Sequence, residues 1–389
     1  MKAFVQPNMI SWARSRSDFS VEDVAKKLHV KAEQVAAWEC GEDAPTLCQA
    51  RSLATAMHIP LGWLYLKTPP EEKVALPDLR TVGNSGHAGL SPDFRDQLNE
   101  VLYKQQQYVE LIIEDGAEPL PFVGKFSVKD APAAIVADIR NALGMNHEMR
   151  RDATSWEDFL HEFILRAEGL GILVMRSGIV GNNTHRPLSV QEFRGFAISD
   201  IYAPLVFING KDAKTAQIFT LAHELAHLWI GASGISNQAM NASGVHSKHV
   251  ELFCNQIAAE LLVPAAELAV RWQKAKETAE NIHTLSCYFR VSGLVAMYRS
   301  LDLGYITRAE FDTFYRIEMA RHAAHAARVK NSDGGPTPQI TIPARNSHLL
   351  TDTIISAAYE GKLLFRDACR ILGTTMGTLN KLAATAGVM

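Results

Sequence analysis

Apolar residues change their spacing several times along the chain, and those changes divide it. From the N-terminus to about Pro70, short runs with helical spacing alternate with polar breaks and close at "TPPEE", which predicts a compact helical unit over residues 1–70. The stretch "SPDFRDQLNEVLYKQQQYVELI" then keeps helical spacing to Ile112, with Ser91 and Pro92 as N-cap and first turn, and predicts a helical connector over 71–130. Further helix is expected from Ala131 to Gly171, after which "GILVM", "FRGFAIS" and "APLVFING" read as strands, the last ending on an Asn209-Gly210 turn. A small sheet therefore precedes "FTLAHELAHLWIG", Phe219 to Gly231. Helices resume after Pro264, completing a domain over 131–329. "KNSDGGPTPQ" reads as a linker and residues 345–389 as a small helical module. The expected fold class is mostly α with a small β-sheet (α+β).

Composition narrows the class. The 389 residues suffice for two or three domains, and 47% hydrophobic with 21% charged residues is ordinary for a soluble globular chain. A net charge of -3 argues against a general polyanion-binding surface, so any nucleic-acid contact must be local. The five cysteines form no CxxC pair and read as reduced thiols. "MKAFVQPNMISWARSRS" lacks the apolar run of a signal peptide and no segment reaches about 18 uninterrupted apolar residues, which predicts a cytoplasmic protein with no membrane contact.

The candidate chemistry lies in the apolar helix. Residues four apart on a helix stack on one face, so His223 and His227 can reach a single ion, and neutral imidazole suits Zn2+. Glu224 lies one position round the helix, placed to take a proton from water rather than to ligate, which makes it the candidate general base of a hydrolase. Read blandly, the pattern is two hydrogen-bonded core histidines. The surrounding Ile218, Phe219, Leu221, Ala222, Leu225 and Leu228 make that costly unless a metal or hydrogen bond satisfies them. Metzincin spacing is excluded, because Ile230 and Ser233 stand where that class needs glycine and histidine. A third ligand is sought in "HVELFCNQIAAELLVP", His249 to Pro264, where Glu251 is the better candidate and Glu260 its rival. Leu252, Ile257, Ala258, Leu261 and Leu262 can face the core, while His246 and His249 stand nearby as substitute ligands or oxyanion stabilisers.

The run from "GFAISDIYAPLVFINGKDAKTAQIFTLAHELAHLWIG" through "VELFCNQIAAELLVP", roughly Leu170 to Pro264, resembles the ImmA/IrrE family of zinc metallopeptidases. The resemblance implies a zincin-like, gluzincin-type site in which His223, His227 and Glu251 bind zinc and Glu224 is the general base. It also implies a regulatory protease that cuts a partner repressor.

"FSVEDVAKKLHVKAEQVAAWECGEDAP", Phe19 to Pro45, reads as two short helices around a tight turn and resembles the XRE type of helix-turn-helix, with His29 where such turns usually carry glycine. In that fold the second helix enters the major groove. Here it offers Ala32, Glu33, Gln34, Ala36 and Ala37, of which Gln34 alone is a good base reader. Eight Lys and Arg face seven Asp and Glu over Met1 to Pro70. DNA binding through residues 20–39 and docking of a protein partner both stay open, as does homodimerisation. The tail "FRDACRILGTTMGTLNKLA" has a helix-turn-helix look around Gly373, but a plain helical hairpin is the expected form. Two functions follow as expectations. One is a cytoplasmic zinc endopeptidase acting on a regulatory protein; the other is a non-proteolytic, antitoxin-like regulator partnered by a genetically linked toxin.

Overall fold

Capping chemistry fixes the short helices at the start of the chain. The computed structural model describes residues 2–17, 19–70, 90–236, 245–328 and 337–387. The chain divides into two compact units. The first holds α1 (Pro7–Arg16), α2 (Val21–Leu28), α3 (Ala32–Cys40), α4 (Leu47–Ala56) and a 3-10 turn over Leu61–Tyr65. Ser20 and Asp23 bond reciprocally at the start of α2, and Thr46 and Gln49 do the same for α4. His29 ends α2 in the left-handed region with φ 55°, the conformation that explains why such a turn favours glycine. Val24, Ala25, Val35 and Trp38 form the core between α2 and α3. Arg14 grips the Glu39 carboxylate with bonds of 2.7 and 3.1 Å, so the acid left exposed near the start of α3 is Glu33. Residues 71–89 of the expected connector lie outside the described residues.

α5 (Pro92–Glu114) begins in the first unit and from Gln97 belongs to the second. It is bound rather than merely connecting: buried Lys104 donates to Asn346 Oδ1 at 2.8 Å and pairs with Glu100, and Gln105 donates to the Ala203 carbonyl at 2.6 Å. α6 (Pro132–Ala142), α7 (His147–Asp152) and α8 (Trp156–Gly169) follow. The chain then forms β1 (Leu173–Ser177), a hairpin of β2 (Ile179–Val180) and β3 (Asn183–Pro187), β4 (Gly195–Ile198) and β5 (Leu205–Asn209). Next come α9 (Lys214–Trp229), β6 (Gly234–Ser236) and α10 (Val245–Leu262). The main sheet has the order β1-β5-β4-β6, with β1 parallel to β5 and β4 antiparallel to both β5 and β6. Val174, Ala197, Val206 and Ile208 share one core with Phe159 and Phe163 of α8, with Ile218, Leu221, Ala222 and Leu225 of α9, and with Ile257, Ala258 and Leu261 of α10. Burial from Thr220 to Trp229 is continuous, so the C-terminal part of α9 has no solvent face, and its apolar residues surround the buried His223, Glu224 and His227. Its end is held by Gly124 and Phe126, whose amides donate to the Leu228 and Trp229 carbonyls at 2.9 and 3.0 Å. Gly124 and Gly231 approach so closely that a Cβ on Gly231 would stand 3.0 Å from the Gly124 Cα.

α11 (Ala265–Arg271), α12 (Thr278–Phe289), α13 (Gly293–Asp302) and α14 (Arg308–Arg328) complete this region. The tail holds α15 (Pro338–Asn346), α16 (His348–Tyr359), α17 (Phe365–Leu372) and α18 (Met376–Ala386). One sequence expectation changes here. The linker lies outside the described residues as far as Pro336, and helix resumes at Pro338 rather than at Arg345, because Pro338 is a good first helical residue even though Pro343 inside α15 reads as a breaker. In the tail, α17 and α18 are joined by the tight turn at Gly373, and α16 packs against both. It is tied to α8 by Glu168, which accepts from Ser347 Oγ at 2.6 Å, from the His348 amide at 2.9 Å and from His348 Nδ1 at 3.1 Å. The hairpin β2–β3 and the three-residue β6 carry no alternating pattern and arise only through their pairings. Among the described residues no single helix is long and apolar enough to cross a membrane. None of the five cysteines is in a disulfide.

Candidate metal centre

Two neighbouring helices build the site. α9 presents His223 and His227 one turn apart, their Nε2 atoms 3.1 Å from each other. α10 packs against α9 and brings Glu251 across, with Oε2 3.2 Å from His223 Nε2 and Oε1 3.3 Å from His227 Nε2. Tetrahedral ligands held at about 2.0–2.1 Å from zinc stand about 3.3 Å apart along each edge. Each imidazole therefore stands about one such edge from the other and from one oxygen of Glu251, and the three donors converge closely enough to fit a single ion. The histidine side chains are 5% and 3% exposed against 26% for Glu251, so the group is closed by the protein core on the imidazole side and open beside the carboxylate.

The electrostatics ask for a cation. Burial pushes the Glu251 carboxyl up, but the hydrogen bonds and charges of His223 and His227 outweigh it and hold the group down at about 2. Burial would lower the His227 imidazole, yet the buried Cys254 thiol, Glu251 and Glu224 together raise it well above its ordinary range. Cys254 sits one turn after Glu251 on α10, and its i+3 spacing places it on the same face.

Glu224 is fully buried and stands apart from the three convergent donors. Its carboxylate faces the start of β4. A Cβ on Gly195 would stand 2.5 Å from Thr220 Cγ2, 2.9 Å from the Phe207 carbonyl oxygen and 3.1 Å from Glu224 Oε1. A glycine within a strand often marks such an approach. Gly195→Ala is expected to cost about 1–3 kcal/mol through overpacking. Because the Phe207 oxygen is backbone, part of the strain should move Glu224. Urea unfolding together with zinc analysis checks this: stability should fall while metal content stays near that of wild type.

The rival ligand has another task. Glu260 pairs with Arg299 and accepts from the Ala265 amide at 3.3 Å, closing the end of α10, where Arg299 also donates to the Val263 carbonyl at 3.1 Å. His249 is exposed on the first turns of α10 and is not among the convergent donors; the side chain of His246 lies outside the described residues. Leu252, expected in the core, is 55% exposed, because Phe253 and Cys254 occupy the face toward α9 and the core.

No curated protein matches the chain. Residues 346–385 match a family model described as a domain of unknown function. Residues 167–301, which hold His223, Glu224, His227 and Glu251, match the model of the IrrE N-terminal-like domain, a peptidase family.

Proposed function

We propose that the chain is a zinc-dependent endopeptidase that cuts a partner regulatory protein, such as a repressor, and carries a helix-turn-helix unit that brings it to its target. The observation that carries this reading is the convergence of His223, His227 and Glu251 within metal-binding reach of one another, with Glu224 buried on the same helix. Zinc, when bound, supplies Lewis acidity that lowers the pKa of water to about 7. His223 and His227 would hold the ion as neutral donors, with Glu251 contributing one negative charge. Glu224, kept from bulk water and braced against β4, takes the proton from the attacking water and returns it to the leaving amine. The α2–α3 pair, with its left-handed turn at His29, supports the helix-turn-helix assignment, and the near-neutral charge of residues 1–70 points to weak DNA binding by this unit alone, with docking to a protein of similar fold.

A substrate selected by docking is a small folded regulator, including a genetically linked toxin or repressor, cut at an exposed loop where backbone enters in extended form. The test incubates the full chain, loaded with zinc, with the product of the adjacent gene and with casein. One discrete cut in the partner with casein spared is expected. Efficient casein digestion with no preference for the partner would leave a general peptidase, and stable binding of the partner with no cut would favour the antitoxin-like role.

A further inference from the structure

One backbone turn recurs three times among the described residues. α2, α12 and α17 each end on a left-handed residue, His29, Arg290 and Gly373, with φ of 55°, 55° and 61°. In each case two further residues follow before the next helix begins. The first and third copies agree in their cores as well. Val24, Val35 and Trp38 around the first turn, and Ala368, Leu379 and Leu382 around the third, hold the same places relative to it and are all buried. The middle copy is spent on the fold, since Arg299 on α13 turns inward to Val263, Glu260 and Asp302.

The third copy leaves its second helix facing outward. Thr375, Met376, Gly377 and Lys381 are exposed along α18, and that helix carries no acidic residue, whereas α3 carries Glu33 and Glu39. On α17, Arg366 and Arg370 have side chains 85% and 68% exposed, and the carboxylate beside them, Asp367, lies 3.8 Å from each. Gly373 is fixed from behind, its carbonyl accepting from Asn182 Nδ2 at 2.6 Å, while Arg345 and Asn346 donate to the Leu372 carbonyl at 3.2 and 3.0 Å. The turn is thus rigidly mounted, with a cationic rim and a small-residue face.

We propose that residues 346–387 form a second helix-turn-helix that binds duplex DNA, laying α18 in the major groove with Arg366, Arg370 and Lys381 on the phosphates. Met376 and Thr378 at the start of α18 then face base edges, where a methyl-bearing side chain suits the thymine methyl group and a hydroxyl suits either a donor or an acceptor. The exposed Leu364 and Phe365 that lead into α17 are the competing feature, because they would suit a protein partner instead.

The test uses the full chain and a fluorescently labelled duplex of mixed sequence, titrated by anisotropy over a series of salt concentrations. Each phosphate contact contributes about 0.9 to the slope of log affinity against log salt. The triple variant Arg366→Ala, Arg370→Ala, Lys381→Ala is therefore expected to bind at least about 10-fold more weakly at low salt, with the slope reduced by about 2–3. All three positions are on the surface, and an unchanged unfolding midpoint verifies the fold. Met376→Glu, a single change in the groove-facing helix, should weaken binding as well, and Glu224→Gln should leave it at the wild-type level. Unchanged affinity and slope in the triple variant, loss confined to Lys31→Ala in the first unit, or no binding by wild type at the lowest salt would each overturn the proposal.

Discussion

Glu251→Ala is expected to empty the metal site: zinc measured by elemental analysis after dialysis should fall from about one per chain to near zero, while wild type retains it. Glu251 spans both imidazoles, with one oxygen toward each, and its removal leaves two histidines on one side of an ion that needs about four donors. Changes in residues that merely support a ligand already cost about 10–100-fold in affinity, so loss of a ligand should cost more. Glu260→Ala is the control with the opposite signature. Its carboxylate neutralises Arg299, whose side chain is 5% exposed, so the variant should keep zinc and lose about 1–3 kcal/mol of stability; the cost is less than for a fully buried pair because the Glu260 side chain is 30% exposed. Zinc retained by Glu251→Ala and lost by Glu260→Ala would reassign the third ligand.

Glu224→Gln is expected to keep zinc and fold and to slow peptide hydrolysis by about 10²–10⁴-fold. The amide has nearly the volume of the carboxylate, which matters because Glu224 is fully buried and its oxygen lies where a Cβ on Gly195 would crowd it. It cannot accept the proton of the attacking water. Cleavage of the partner should therefore nearly vanish while partner binding, zinc content and the unfolding midpoint remain. Wild-type rates in this variant would remove Glu224 from the mechanism and would require another base at the site.

Much of this protein is written locally. The i, i+4 spacing of His223 and His227 places both imidazoles on one helical face whatever surrounds the helix, and the apolar residues between them predict its burial. The strands β1, β4 and β5 follow from short β-rich runs. That α2 and α3 are joined by a tight turn follows from two helical patterns with few residues between them; the left-handed φ of His29 is seen only in the structure.

What the sequence left open was whatever depends on which surfaces meet. Glu251 and Glu260 are nine residues apart, two and a half turns of helix, so they project from opposite sides of α10 and local pattern ranks neither with certainty. The packing of α10 on α9 decides it: the Glu251 side is turned to the histidines, and the other to Arg299. The same holds for Leu252, whose hydropathy predicts burial until Phe253 and Cys254 take the inner face. β6 is three residues that become a strand only because β4 offers an edge. Gly195 shows no special sequence context, yet it is the point where strand backbone, Thr220 and Glu224 come within about a van der Waals contact. Helical periodicity and turn chemistry act between residues a few positions apart and can be read along the chain; the choice among equivalent faces is a sum of burial and electrostatic terms over distant segments, and it exists only once they are packed.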